Sequence, residues 1–284
     1  MRHHTAVRLG INLMAWSAEI DLGLFPVLKE IGYDGVELPI FAPERIDAPR
    51  VCGALADAGL AATASSALPP GASLLDPGQR AVEGVRFLRR TLELCAAIGA
   101  ELLCGPLYAP VGELAGRPHT EGEWRSCVAA LRTVGLAAEE LGLRVALEPL
   151  NRYESYFLNT AEDGRRLVDA VGHPAVGLHL DTFHMNVEEK DPAAAIACAG
   201  ERLYHFHCSE NDRGVVGSGQ VPWRRVRGAL EAAGYRGWLV NETFNGRLPE
   251  LAAATAIRRP LVPDPLTYAR ESLAFLRSLA GTQE

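Results

Sequence analysis

Glu148, Asp181, His207 and Glu242 are residue types that bind divalent cations, and each closes a short run of β type: VALEPL, GLHLD, YHFH and WLVNE. They lie 33, 26 and 35 residues apart. Each interval is about one strand, one helix and two loops, the repeat of a (β/α)8 barrel, whose strand C-termini converge on one cavity. Three carboxylates and one imidazole meeting there form a mixed oxygen/nitrogen set. Such a set suits Mn2+, Co2+ or Mg2+ with positions left open for substrate. Zinc fits less well, because it usually recruits more nitrogen or sulfur ligands. Taken singly, each residue reads more readily as a surface carboxylate or a satisfied core histidine. Four together, in the same register at strand ends, point to a metal-dependent enzyme.

The rest of the chain must supply the elements that hold these four residues. β-type runs at 9–15, 35–38, 61–65, 101–105, 144–150, 176–181, 203–208 and 238–243 alternate with helical stretches such as 80–98 and 123–141. A last helix is expected over 268–279. Eight strands with crossover helices predict an α/β fold, a closed parallel (β/α)8 TIM barrel forming one domain over residues 1–284. A doubly wound sheet is the alternative. Alternation along the strands sharpens the expectation, because successive side chains point to opposite faces. In GLHLD, His179 and Asp181 oppose Leu178 and Leu180; in YHFH, His205 and His207 oppose Tyr204 and Phe206; in VALE, Ala146 and Glu148 oppose Val145 and Leu147. The polar face looks into the barrel. His179 and His205 precede ligand candidates by two residues, roughly 6.6 Å deeper, and are read as inner core residues that could orient the ligands.

Whole-chain numbers narrow the partners. The net charge of −7, from 28 basic and 35 acidic residues, argues against a general nucleic-acid binder, which needs clustered Lys and Arg. No stretch is long and apolar enough to span a bilayer. The start, MRHHTAVRLGINLMAW, lacks the apolar core and cleavage site of a signal peptide, so the cytoplasm is the expected compartment. Cysteines stand at 52, 95, 104, 127, 198 and 208 with no CxxC spacing, which reads as reduced and mostly buried thiols. Cys208 adjoins His207 but should face away from it.

The sequence around the quartet is more specific than its spacing. Glu148-Pro-Leu-Asn-Arg-Tyr-Glu154, followed by Phe157-Leu-Asn-Thr160, resembles the E-P-x-N-R-x-E segment of the ketose 3-epimerases, the D-tagatose and D-psicose 3-epimerase family of xylose isomerase-like TIM barrels. His179-Leu-Asp-Thr-Phe-His-Met-Asn186 is similar to that family's H-L-D-T-F-H-M-N almost unchanged. His207 with Glu210, Arg213, Gly217 and Gly219 resembles its H-x-x-E-x-N-R-x-x-P-G-x-G stretch, and Glu242-Thr-Phe244 resembles its E-x-F. Two positions depart from the pattern: Asp212 replaces the usual Asn and Val216 the usual Pro.

The resemblance implies a metal held by Glu148, Asp181, His207 and Glu242, and substrate contacts from Glu154, His184 and Arg213. It implies reversible inversion of C3 of free ketoses of the D-tagatose, D-fructose/D-psicose and ribulose type. The route would be a cis-enediolate, with Glu148 and Glu242 as the acid/base pair. No Gly-rich phosphate cradle follows a strand, which favours unphosphorylated sugar. The family also implies a homodimer or homotetramer. Trp16, Leu107, Tyr108, Ser65 and Ser66, near strand ends, are candidate walls of the sugar pocket, whereas Trp124 reads as structural. Three other readings remain open: a related barrel isomerase of hydroxypyruvate or aldose–ketose type, a metal nuclease similar to endonuclease IV, and a sugar-binding barrel without activity.

Overall fold

A computed structural model describes residues 7–249, 252 and 255–280. Eight parallel strands close into a barrel in chain order: β1 (Arg8–Asn12), β2 (Gly35–Pro39), β3 (Ala61–Ser65), β4 (Ala100–Gly105), β5 (Arg144–Leu147), β6 (Val176–Asp181), β7 (Leu203–Cys208) and β8 (Trp238–Asn241). The outer ring comprises α1 (Leu24–Ile31), α2 (Ala48–Ala58), α3 (Gln79–Ile98), α4 (Glu121–Glu140), α5 (Ala161–Val171), α6 (Thr182–Glu188), α7 (Pro192–Ala199), α8 (Trp223–Ala232) and α9 (Pro265–Ala280). The closed barrel, not the open sheet, is therefore the architecture.

Local chemistry explains where the helices start. Thr120 accepts from the Glu123 amide at 3.2 Å while the Glu123 carboxylate accepts from Thr120 N at 2.6 Å, a reciprocal cap for α4. Thr160 caps α5 through the Asp163 amide at 3.1 Å. Strands β1, β5 and β8 stop short of the expected ends. Residues Leu13–Ala15 form a 3-10 turn whose Asn12 side chain accepts from Met14 N, and the residues just past β5 and β8 leave the ladder to face the mouth.

Two bulges shift register, one between β3 and β4 and one between β6 and β7. The second corrects the orientation expected for Tyr204. Leu178 pairs with Leu203 but His179 pairs with His205, so Tyr204 is the extra residue of β7. Instead of sharing the outward face of Phe206, it packs against the inner cluster of Leu102, Cys104, Ala146, Trp238 and Val240. Gly177 makes this possible, since a Cβ there would come within 2.3 Å of the Tyr204 ring. These side chains plug the N-terminal end of the barrel, and a larger apolar cluster fills the space between sheet and helices.

Candidate active site

The four ligand candidates come from the C-terminal ends of β5, β6, β7 and β8 and are all buried. Glu148, one residue past β5, is anchored by its amide on Gly105 O at 3.0 Å and by the Tyr108 hydroxyl, which donates to its carbonyl at 3.0 Å. Its carboxylate lies 3.6 Å from His184 Nε2 and 3.6 Å from His179 Nδ1. Asp181 has a double task. Oδ1 caps α6 through the Phe183 amide at 2.8 Å, while Oδ2 accepts from Arg213 Nη1 at 2.8 Å. Glu242 accepts from Asn12 Nδ2 at 3.0 Å and from Arg213 Nη1. His207 presents Nδ1 at 3.4 Å from Glu242 Oε2.

Possible ligand atoms of Asp181, His207 and Glu242 lie within 4.8 Å of one another, as do those of Glu148 with His179 and His207, and those of Glu148 with Asp181 and His184. His207 Nδ1 is buried without a hydrogen-bond partner among the described residues. An imidazole nitrogen without a hydrogen-bond partner beside three carboxylates fits a divalent cation, which would displace its proton and take the lone pair.

The electrostatics separate the two glutamates. Burial pushes Glu148 well above the usual carboxylate range, with Glu242 and Asp181 adding to it and His207 opposing. Burial pushes Glu242 the same way, but His207 and Arg213 overcome it and bring it down to about 2. Asp181 is raised by burial despite Arg213. For His207, burial would lower the value, yet Glu37 and Glu242 raise it well above the ordinary range.

Around this centre lies a cavity of about 280 Å³, of small-molecule scale. Glu154, His184, Arg213 and Ser66 line it together with Glu148, His207 and Glu242. Asn151 ties two of these together, donating Nδ2 to Glu154 at 2.8 Å and its backbone amide to His184 Nδ1 at 3.1 Å. His184 therefore accepts at Nδ1, and its Nε2 lies 3.3 Å from Arg213 Nη2 at the cavity wall. Burial and Arg213 hold it well below the ordinary histidine value, so it is neutral.

Arg213 sits at φ 64°, in the left-handed region. Its guanidinium is sandwiched between Phe183 at 4.1 Å and Phe244 at 4.7 Å, which accounts for the aromatic residues of two of the motifs. The loop that carries it is wound around buried Glu210, whose carboxylate accepts from Gly217 N at 2.9 Å, Val221 N at 2.9 Å and Trp223 Nε1 at 3.0 Å. Glu210 thus shapes the loop and does not face the cavity. Arg152 likewise ties the β5 loop to α6 by pairing with Glu188 at 2.8 Å.

Three expected wall residues are elsewhere. Trp16 is half-buried against the core, its carbonyl held by Asn245 Nδ2 at 2.9 Å, and the β1 contribution comes from Met14. Leu107 and Tyr108 are buried behind the wall. Gly105 at φ 124° and the Leu107 amide on Gly105 O at 2.9 Å turn the chain so that Gly105, Pro106, Pro110 and Val111 face the cavity instead. Ser65 also lines the wall, while Trp124 packs between His119 and Phe157 at 5.3 and 5.9 Å. Cys208 is buried in the outer core, and no cysteine is paired.

Sequence reasoning passed over Glu37 and Asn12. Glu37 is fully buried and binds His205 Nε2 at 2.6 Å and His207 Nε2 at 2.8 Å. Its signal was available: an acidic residue inside the apolar run GVELP, on the inward face of β2.

Residues 25–279 match the model of the family described as xylose isomerase-like TIM barrel. A probable ketose 3-epimerase of Synechocystis sp. is 34% identical over 97% of this chain and 98% of its own. An L-ribulose 3-epimerase of Mesorhizobium japonicum is 33% identical over 95% and 93%. The crystal structure of a D-allulose 3-epimerase from Methylomonas sp. in complex with D-allulose superposes with a TM-score of 0.91 at 29% identity, covering 96% of this chain and 97% of that one.

Proposed function

Because the chain belongs to the ketose 3-epimerase family of xylose isomerase-like TIM barrels, we propose that it reversibly inverts C3 of a free ketohexose or ketopentose. The substrates would be of the D-tagatose, D-fructose/D-psicose and ribulose type, and a divalent cation, Mn2+ first and Co2+ or Mg2+ as alternatives, would assist. Glu148, Asp181, His207 and Glu242 would hold the cation. When bound there it supplies Lewis-acid polarisation of the C2 carbonyl.

The observation that carries the reading is the convergence of two glutamates, from strands three apart in the ring, on one cavity with opposed electrostatics. Pairs of carboxyl groups driven apart in this way divide acid and base roles. One of the two glutamates removes the C3 proton and the other returns a proton to the opposite face of the enediolate, and the roles exchange in reverse. The two glutamates act as a coupled pair. His184 and the Arg213 guanidinium hold the O1–O2 end, and Glu154 accepts a hydroxyl hydrogen. A homodimer or homotetramer is the proposed assembly. No helix among the described residues is long and apolar enough to cross a membrane.

The test is turnover of a ketose panel in D2O with Mn2+. Product gains deuterium at C3, and Glu148→Gln and Glu242→Gln each reduce the exchange by about 10²–10⁴-fold, the span of a positioned acid or base. Undiminished exchange in either variant removes the two-carboxylate mechanism.

A further inference from the structure

We propose that Glu37 is a positioning residue for this site: one buried carboxylate fixes the ring of His207 and, through Asn12, the side chain of Glu242. Glu37 is fully buried, flanked along β2 by Val36 and Leu38. A buried carboxylate is expensive unless its oxygens are answered by donors. Here they are. Oε1 faces His207 Nε2 at 2.8 Å and accepts from Asn12 Nδ2 at 2.8 Å; Oε2 faces His205 Nε2 at 2.6 Å and accepts from Thr63 Oγ1 at 3.0 Å and Cys104 Sγ at 3.3 Å.

An ionised carboxylate only accepts, so both imidazoles must carry hydrogen on Nε2. For neutral His207, the form a cation requires, that leaves the lone pair on Nδ1, the atom that lies 3.4 Å from Glu242 Oε2. The second arm runs through Asn12. Its Oδ1 is pinned by Met14 N at 2.9 Å, and its Nδ2 is shared between Glu37 Oε1 and Glu242 Oε1 at 3.0 Å. Ligand histidines held by a carboxylate on the far nitrogen gain basicity and a fixed orientation. The same residue here also reaches a glutamate of the proposed acid/base pair.

The inference rests on the metal reading above, and direct calorimetry of Mn2+ binding separates the two. Glu37→Gln, an isosteric change, should weaken Mn2+ binding by about 10–100-fold, the usual effect of losing such a partner. Wild-type affinity in the variant overturns the positioning role and leaves the metal site standing; absence of Mn2+ binding in the wild type overturns both. The wild-type protein supplies a second measurement that needs no variant to fold. In its 15N imidazole spectrum with Zn2+ as diamagnetic probe, the ring that shifts on metal binding should keep hydrogen on Nε2 and bind through Nδ1. Hydrogen on Nδ1 with metal at Nε2 overturns the proposal.

Discussion

At the N-terminal end of the barrel the strands contribute Leu102, Cys104, Ala146, Val240 and the Trp238 indole, which packs under Arg8 at 4.2 Å and donates to Glu101 at 3.3 Å. At the C-terminal end β5, β6, β7 and β8 present Glu148, Asp181, His207 and Glu242, all buried, and nitrogens of His207 and, two residues deeper, of His179 and His205 have no hydrogen-bond partner among the described residues. One end removes apolar surface from water and satisfies its few polar atoms. The other holds like charges together and leaves lone pairs open. Stability and chemistry are thus separated by a few residues along each strand, and the plug is the part that can carry the cost of the site.

The comparison breaks most visibly at the plug. Trp238→Ala empties a nearly fully buried site and should lose about 3–5 kcal/mol of stability. Calorimetry should nevertheless find Mn2+ bound by the folded variant with unchanged affinity. A large loss of affinity would mean that the two ends are mechanically coupled. The mouth should respond in the opposite way: Mn2+ at a hundredfold excess over its dissociation constant adds about 2.7 kcal/mol. Chelation removes that increment from the wild type and from Trp238→Ala alike.

A smaller and more diagnostic effect is the pH dependence of the metal-free protein. Glu148 and His207 are both raised, by burial against His207 in the first case and by Glu37 and Glu242 against burial in the second. Folded protein therefore holds protons that the unfolded chain has released. That contribution is complete below the unfolded values and is lost as pH rises through the folded ones. His179 and His184 are lowered, chiefly by burial, so their contribution is present above about 6.5 and lost as pH falls below it. Metal-free stability should peak near neutrality and fall on the alkaline side by up to about 1.4 kcal/mol per pH unit for each proton released. Denaturant unfolding at several pH values in chelator measures the slope. With Mn2+ present the alkaline limb should vanish, because binding displaces those protons and strengthens with pH.

What could be read in advance divides along the same line. β3, β6 and β7 have the bounds expected from apolar alternation, and the closed barrel follows from eight such runs with helical crossovers. Alternation assumes an unbroken ladder, so it misplaced Tyr204, where a bulge inserts one residue. Proximity to a strand end was a poor guide to the wall. A tight turn at Gly105 sends Leu107 and Tyr108 inward, and neighbouring prolines take their place. The mouth residues Glu154, His184 and Arg213 were visible only through motif resemblance. Their convergence depends on contacts, through Asn151, Phe183, Phe244 and Glu210, that no periodicity encodes.

The smallest effect concerns a departure from the family pattern. Asp212 accepts from Gly214 N at 2.9 Å, as an asparagine could, but its second oxygen pairs with Arg259 at 3.2 Å, which an asparagine could not match as an ion pair. Arg259 belongs to the connection between β8 and α9, the segment whose Thr255 lines the cavity. Both partners are more than a third exposed, so the pair falls among surface bridges worth about 0.2–1 kcal/mol and weakened by salt. Asp212→Asn should preserve the turn and Mn2+ affinity while changing KM for a ketose by no more than about fivefold at low salt, a difference that closes as salt is raised. A salt-independent change in kcat would instead place Asp212 within the polar machinery of the mouth, extending that region to a loop whose geometry otherwise serves only to present Arg213.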